Sequence, residues 1–131
     1  MSYLLDTYAW IEYVEGSTEG ERVRDILEDE AELFTSVISI AELSDAFHRG
    51  GIESEVTWTT VLDFVQLHAQ VVGVRSDIAA DAGVLKVEKR SEFSDYGLID
   101  AIILQTARDR DATLVTGDRH LVHEDDVIDI S

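Results

Sequence analysis

Two hydrophobic periodicities alternate along the chain. Short apolar runs at Tyr3-Leu4-Leu5, Leu33-Phe34-Thr35-Ser36-Val37, Val71-Val72-Gly73-Val74, Thr113-Leu114-Val115 and Val127-Ile128-Asp129-Ile130 predict five strands. Between them, apolar residues recur at three- and four-residue spacing, as in helices with one buried face. The first helix opens at Thr7-Tyr8-Ala9-Trp10-Ile11, and Ser17 or Thr18 caps a second from Gly20 to Glu30, with Val23, Ile26 and Leu27 on its stripe and Glu28-Asp29-Glu30 as a solvated end. A third starts at Ser39-Ile40-Ala41-Glu42-Leu43, carries Ile40, Leu43 and Phe47 on one face, and stops at Gly50-Gly51. A fourth runs from Glu53 to Ala69 with Trp58, Val61, Leu62 and Val65 on one side, and a fifth, capped by Ser76 or Asp77, carries Ile78, Ala82, Leu85 and Lys89. After a polar loop from Ser91 to Gly97, Leu98 to Arg108 is the most apolar helix of the chain.

Strands and helices alternating over short connections predict a three-layer α/β/α, Rossmann-like domain over residues 1–131, with a mainly parallel sheet of about five strands covered on both faces. Right-handed crossovers place the carboxyl ends of such strands on one edge, where ligands bind. No internal repeat or linker interrupts the pattern.

Composition narrows the class. With 45% hydrophobic and 29% charged residues the chain is globular. It has no apolar run of membrane-spanning length and no basic, apolar leader, so a cytoplasmic location is expected. The absence of cysteine excludes disulfides and thiolate ligands, leaving oxygen or imidazole for any metal. The formal net charge of −18 implies strong self-repulsion that concentrated salt screens, and points to a halophilic cytoplasm. An acidic chain is ordinarily a poor partner for nucleic acid. As an adaptation to solvent, however, the acidity leaves any local site to be judged on its own residues.

Four carboxylates and one hydroxyl are the candidates at the functional edge. Asp6 ends the first apolar run where strand gives way to helix, a position open either to the crevice or to simple helix capping. Asp100 sits among Leu98, Ile99, Ala101, Ile102, Ile103 and Leu104, so its helix is expected to be buried all round and an ionised acid there needs a partner or a metal. A helix-dipole role competes, but Ser94 and Asp95 supply capping groups upstream, which gives Asp95 the structural role and Asp100 the functional one. Asp118 follows the fourth strand in Thr116-Gly117-Asp118, a sequence that also makes an ordinary turn, with Thr116 bonding a carboxylate or a metal-bound water, or merely closing that turn. Glu42 lies off its helix's apolar stripe, either solvated or overlooking the crevice from the first turn after the second strand. Converging acids repel and shift one another's pKa values unless a hard divalent cation joins them. Such a site suits phosphodiester hydrolysis.

The motifs Leu4-Leu5-Asp6-Thr7, Ser39-Ile40-Ala41-Glu42-Leu43, Leu98-Ile99-Asp100-Ala101-Ile102-Ile103 and Leu114-Val115-Thr116-Gly117-Asp118-Arg119-His120, in this order across nearly the whole chain, resemble a PIN-domain ribonuclease, and in size and wording the VapC toxins of type II toxin-antitoxin pairs. The resemblance implies an acidic quartet, Asp6, Glu42, Asp100 and Asp118, binding Mg²⁺ or Mn²⁺, with Thr116 as the accompanying hydroxyl. It also implies cleavage of single-stranded RNA, homodimerisation and inhibition by a cognate antitoxin. Leu121 stands where the family often has Phe, a change expected to touch packing.

Other residues receive lesser roles. Arg49, Lys86, Lys89, Arg90 and Arg119 are the candidates for phosphate contacts, with surface ion pairs as the competing role. His48, His68, His120 and His123 are expected at the surface, and Trp10 and Trp58 in the core. Exposed parts of the stripes on the first, second and fourth helices are candidates for the antitoxin. A receiver-like signalling domain would need an acidic pair after the first strand and a lysine after the fifth; Thr7 follows Asp6, and no lysine occurs after Lys89. A phosphatase of the haloacid-dehalogenase type would need an aspartate where Tyr8 stands, and nucleotide-binding modules a glycine-rich first loop. An inactive PIN fold used for protein binding is the remaining alternative.

Overall fold

Leu4 and Leu5 decide the layering. Consecutive in sequence and both fully buried, they point to opposite faces of β1 (Ser2–Leu5), so the sheet has to be covered on both sides. The computed structural model describes residues 1–29 and 31–131; the expected solvated end at Glu30 lies outside the described residues. After β1 come α1 (Thr7–Glu15), α2 (Thr18–Glu28), β2 (Glu32–Ser36), α3 (Val37–His48), α4 (Trp58–His68), β3 (Gln70–Val72), α5 (Ser76–Lys89), α6 (Leu98–Asp109), β4 (Thr113–Thr116) and β5 (Val127–Asp129). The five strands form one parallel sheet in the order β3-β2-β1-β4-β5. This is the three-layer α/β/α fold that the alternation of periods predicts.

Alternation along the strands divides the core in two. Tyr3, Leu5, Leu33 and Val115 face a layer built by Trp10 of α1, Val23 of α2, Leu43 of α3 and Val61 and Val65 of α4. Leu4, Phe34, Val72 and Leu114 face Ala82 and Leu85 of α5 and Ala101, Ile103 and Leu104 of α6. Trp10 is fully buried, as its stripe predicts, and its indole N–H donates to Thr35 Oγ1 at 3.0 Å. The Thr35 hydroxyl donates in turn to the Leu5 carbonyl at 2.8 Å, so α1 is tied to the two central strands.

Several helix starts differ from expectation. The fourth helix begins at Trp58, not Glu53, because Thr57 caps it, its hydroxyl accepting the Thr60 amide at 3.3 Å. The Glu53 amide donates instead to Glu15 Oε2 at 2.9 Å, which holds that segment against α1. Ser17 is the cap of α2, accepting the Gly20 amide at 3.0 Å, and so the helix starts at Thr18. Neither Ser76 nor Asp77 caps α5: Arg75 holds the cap position, and its guanidinium bonds Asp77 and Asp109. The expected burial of α6 all round fails in its first turn, where Leu98 and Ile99 are 45% and 37% exposed.

With β2 and β3 on one side of β1 and β4 and β5 on the other, the chain changes direction between β1 and β4. In parallel sheets this switch point opens a crevice at the strands' carboxyl ends.

The packing of α1 on α2 leaves no room at Gly20. A Cβ there would stand 2.3 Å from the Glu12 carbonyl oxygen and 2.8 Å from its carbon, both backbone atoms that no rotamer change can move. Gly20→Ala is expected to destabilise the fold by about 1–3 kcal/mol through overpacking, outweighing the roughly 1 kcal/mol helix preference of alanine. Urea unfolding with an unchanged or raised midpoint would refute this.

Candidate active site

Strand register makes the first placement. Leu5 lies opposite Val115, so Asp6, the first residue beyond β1, comes beside Thr116, the last of β4, and the Asp6 amide donates to the Val115 carbonyl at 3.3 Å. The Thr116 hydroxyl, fully buried, donates to Asp6 Oδ2 and accepts the Asp118 amide at 3.0 Å. Thr116 therefore both bonds the carboxylate and closes the turn. Asp6 Oδ1 accepts the Ala9 amide at 3.0 Å, so the same side chain also caps α1. Burial pushes the Asp6 pKa up to about 7, against the bonds from Thr116 and Ala9 that favour its charge, with Asp118 and Glu42 raising it further.

Glu42 arrives by a junction without a loop. Helix α3 begins at the residue after β2, capped by Ser36, which accepts the Ile38 amide at 3.1 Å. Glu42 is half-buried, its Oε1 accepts the Thr7 hydroxyl at 2.7 Å, and its charge is felt by both Asp6 and Asp100. Glu42 is therefore not simply solvated: it stands close enough to Asp6 and Asp100 to raise their pKa values. Thr7 has no assigned role in the sequence reading, although a hydroxyl directly after Asp6 on the same helix turn was the available signal.

Asp100 requires a correction. It performs the capping assigned upstream: its Oδ2 accepts the amide of Gly97, the cap residue of α6, at 3.2 Å. Its carboxyl is only partly enclosed, and burial followed by the Asp118 charge raises its pKa. The upstream acid Asp95 caps nothing. It bonds His120 Nε2 through Oδ1 at 3.0 Å and pairs with Arg119.

His120 is likewise not a surface residue, since its side chain is only 12% exposed. Its backbone amide and its Nδ1 both reach Asp118 Oδ1, at 2.8 and 2.9 Å, and Nδ1 lies 3.8 Å from Asp100 Oδ2. Asp95, then Asp118, hold its pKa above the usual imidazole value, against the effect of burial. Ligand atoms of Asp100, Asp118 and His120 lie within 4.8 Å of one another. The two-residue step from Asp118 to His120 was legible as a common turn; Asp95 reaches the site from a separate loop and gave no signal. Gly117 owes its place to Tyr8, whose nearest ring atom would lie 2.3 Å from an added Cβ.

The cations proposed for phosphate are mostly engaged. Arg49 pairs with Asp45, Lys89 with Glu124, Arg119 with Asp95, and Arg90 Nε donates to the Tyr96 carbonyl at 2.6 Å. Among the described residues only Lys86 of the five has neither an ion pair nor a side-chain hydrogen bond. No arginine or lysine pairs with Asp6, Glu42, Asp100 or Asp118 among the described residues.

The model of the PIN domain matches residues 3–126 of this chain. The chain belongs to the PIN-domain family. Solved structures similar to this PIN domain include a toxin-antitoxin complex from Klebsiella pneumoniae, with a TM-score of 0.73, 21% identity and coverage of 98% of each chain. VapBC2 from Rickettsia felis, bound to a DNA fragment from its promoter, has a TM-score of 0.72 at 19% identity, covering 98% of this chain and 96% of its own. VapC20 from Mycobacterium tuberculosis, a Sarcin-Ricin loop cleaving toxin, has a TM-score of 0.67 at 15% identity, covering 89% and 90%. Comparison with curated proteins finds no match.

Because Asp6 in the folded apoprotein keeps its proton up to about pH 7, while an unfolded aspartate releases it near 3.8, the unfolded state is favoured progressively as pH rises through that window. Its contribution to stability is present below the lower value and lost above the upper one. Asp6→Asn removes this dependence. Thermal melts of chelator-treated protein at pH 4.5 and 7.5 are expected to show a larger loss of stability in wild type than in the variant, and equal losses would refute the assignment.

Proposed function

We propose that this PIN domain is a Mg²⁺- or Mn²⁺-dependent endoribonuclease acting as the toxin of a toxin-antitoxin pair in the cytoplasm. The observation that carries the reading is the sharing of one sheet edge by Asp6, Glu42, Asp100 and Asp118, whose mutual repulsion no lysine or arginine side chain relieves among the described residues. Oxygen-rich donor sets of this kind fit hard divalent cations. Asp6, Asp100 and Asp118 would hold the ion and Glu42 would complete the site, with His120 at its rim. When bound, the cation supplies an activated water and neutralises charge developing at the scissile phosphate.

The chain's own residues do the positioning. Thr116 fixes Asp6 and the turn that carries Asp118, Thr7 fixes Glu42, the Gly97 amide fixes Asp100, and His120 fixes Asp118. Each donor leaves lone pairs of its carboxylate free to face substrate. Thr116 and Thr7 act through acids and are positioning residues.

Support for the biological role comes from similar folds in toxin-antitoxin complexes and in a toxin that cleaves the Sarcin-Ricin loop. An antitoxin partner needs an apolar landing place. The cleft of about 160 Å³ lined by Tyr13, Val14, Val56, Thr60, Val61 and Phe64, between α1 and α4, suits apolar side chains of a partner helix. Homodimerisation belongs to the same reading.

Antitoxin-free protein, assayed on structured tRNA, rRNA and mRNA fragments in high KCl with Mg²⁺ or Mn²⁺, is expected to cut at defined sites. Asp6→Asn and Asp100→Asn, checked for folding, are expected to lose at least ~100-fold in rate. A folded, metal-loaded wild type that cuts nothing across the panel would instead indicate a binding module.

Removing a partner that orients a metal ligand typically weakens metal affinity about 10–100-fold. His120→Ala is expected to fall in that range for Mn²⁺, titrated by electron paramagnetic resonance. Unchanged affinity would remove His120 from the site.

A further inference from the structure

Phe93 and His123 lie beside the acidic edge and take part in none of the bonds that build it. The Phe93 ring meets His120 edge to face at 5.5 Å and 78°, and on its other flank runs parallel to His123 within 4°, centroids 6.5 Å apart. Phe93 is anchored: its amide donates to the Lys89 carbonyl at 2.9 Å, its carbonyl accepts the Tyr96 amide at 3.0 Å, and its ring packs on the core under α5 and α6. His123 is exposed on the turn after Asp118. One end of this aromatic surface is therefore fixed and the other open, a single imidazole away from Asp118.

Charge supplies the second observation. RNA affinity ordinarily comes from cations on phosphates, a contribution that weakens as salt rises. Here the chain carries a net charge of −18, and among the described residues most cations of this region are engaged: Lys89 and Arg108 with Glu124, Arg119 with Asp95, and Arg90 with the Tyr96 carbonyl, leaving Lys86 of α5. Aromatic faces bind bases without needing positive charge, at about 1–3 kcal/mol per stacked base.

We propose that Phe93 and His123 form a stacking site for one unpaired nucleobase next to the scissile phosphate, so that the strand is held at the acidic edge by base contact more than by phosphate contact. This rests on the endoribonuclease reading above. It assigns His123 and Phe93 to substrate recognition, with no part in the chemistry.

The test separates binding from cleavage. Single-stranded RNA carrying 2-aminopurine at successive positions is titrated with wild type, His123→Ala and Phe93→Leu in high KCl; the leucine keeps apolar bulk, and His123 is exposed, so both variants are expected to fold. The expected result is fluorescence quenching at one position with wild type, and about five-fold to hundred-fold weaker binding by either variant. In cleavage assays the same factor is expected in KM with kcat little changed. An abasic residue at that position should raise KM for wild type but add little to the effect of either variant. Wild-type binding without position-specific quenching, or variant and abasic effects that multiply, would overturn the stacking site. Quenching without cleavage of any RNA would overturn the ribonuclease reading and leave the stacking site standing; absence of RNA binding would overturn both.

Discussion

The pairing of β1 with β4 is the constraint on which the site depends. Its register sets Leu5 against Val115 and so delivers Asp6 to Thr116, two groups brought together by the sheet and not by any local turn. A slip of one residue would reverse every side chain of β1 between the two core layers, exchanging Leu4 for Leu5. The same burial on both faces that fixes this register also removes water from Asp6 and raises its pKa. Fold stability and the unusual acid are thus two results of one packing arrangement.

The groups that hold the acids are mostly neutral. Two threonine hydroxyls and the backbone amides of Ala9, Gly97 and His120 point the carboxylates without cancelling their charge. An arginine in any of these places would have relieved the repulsion and with it the demand for a cation. Arginine pairs occur elsewhere, as where Arg75 reaches Asp77 and Asp109, or Arg49 reaches Asp45; exposed pairs of this kind add little to stability. Among the described residues no lysine or arginine pairs with the four acids themselves; Arg119, next to Asp118 in the chain, is engaged by Asp95.

Much of this was legible in the sequence, because it depends on local pattern. The alternation of periods gave five strands and six helices in the right order; Asp6, Asp100 and Asp118 lie at or near element ends, whereas Glu42 lies within α3, which begins at Val37 and not at Ser39. What escaped is what three-dimensional contact decides. Thr57 starts α4 because a threonine hydroxyl suits that cap, whereas periodicity alone extends the helix back to Glu53. The cap of α6 falls to Asp100 and not to Asp95, both within a few residues of Gly97, and only tertiary structure brings His120 to Asp95. His120 was underestimated for the same reason: its step from Asp118 is visible, but Asp95 reaches it from another loop.

The bond between Thr116 and Asp6 spans 110 residues. During translation β1 and the first three helices are made long before β4, and until the residues around Asp118 have been synthesised Asp6 lacks its hydroxyl partner and β1 lacks the neighbour on one of its sides. Domains fold as units during synthesis, and this one brings the first and last of the four acids, Asp6 and Asp118, together at one sheet edge. A nascent chain still missing those residues therefore carries three of the four acids without the edge that unites them. The acidic edge is thus assembled by the sheet as a whole and by no stretch of the chain alone.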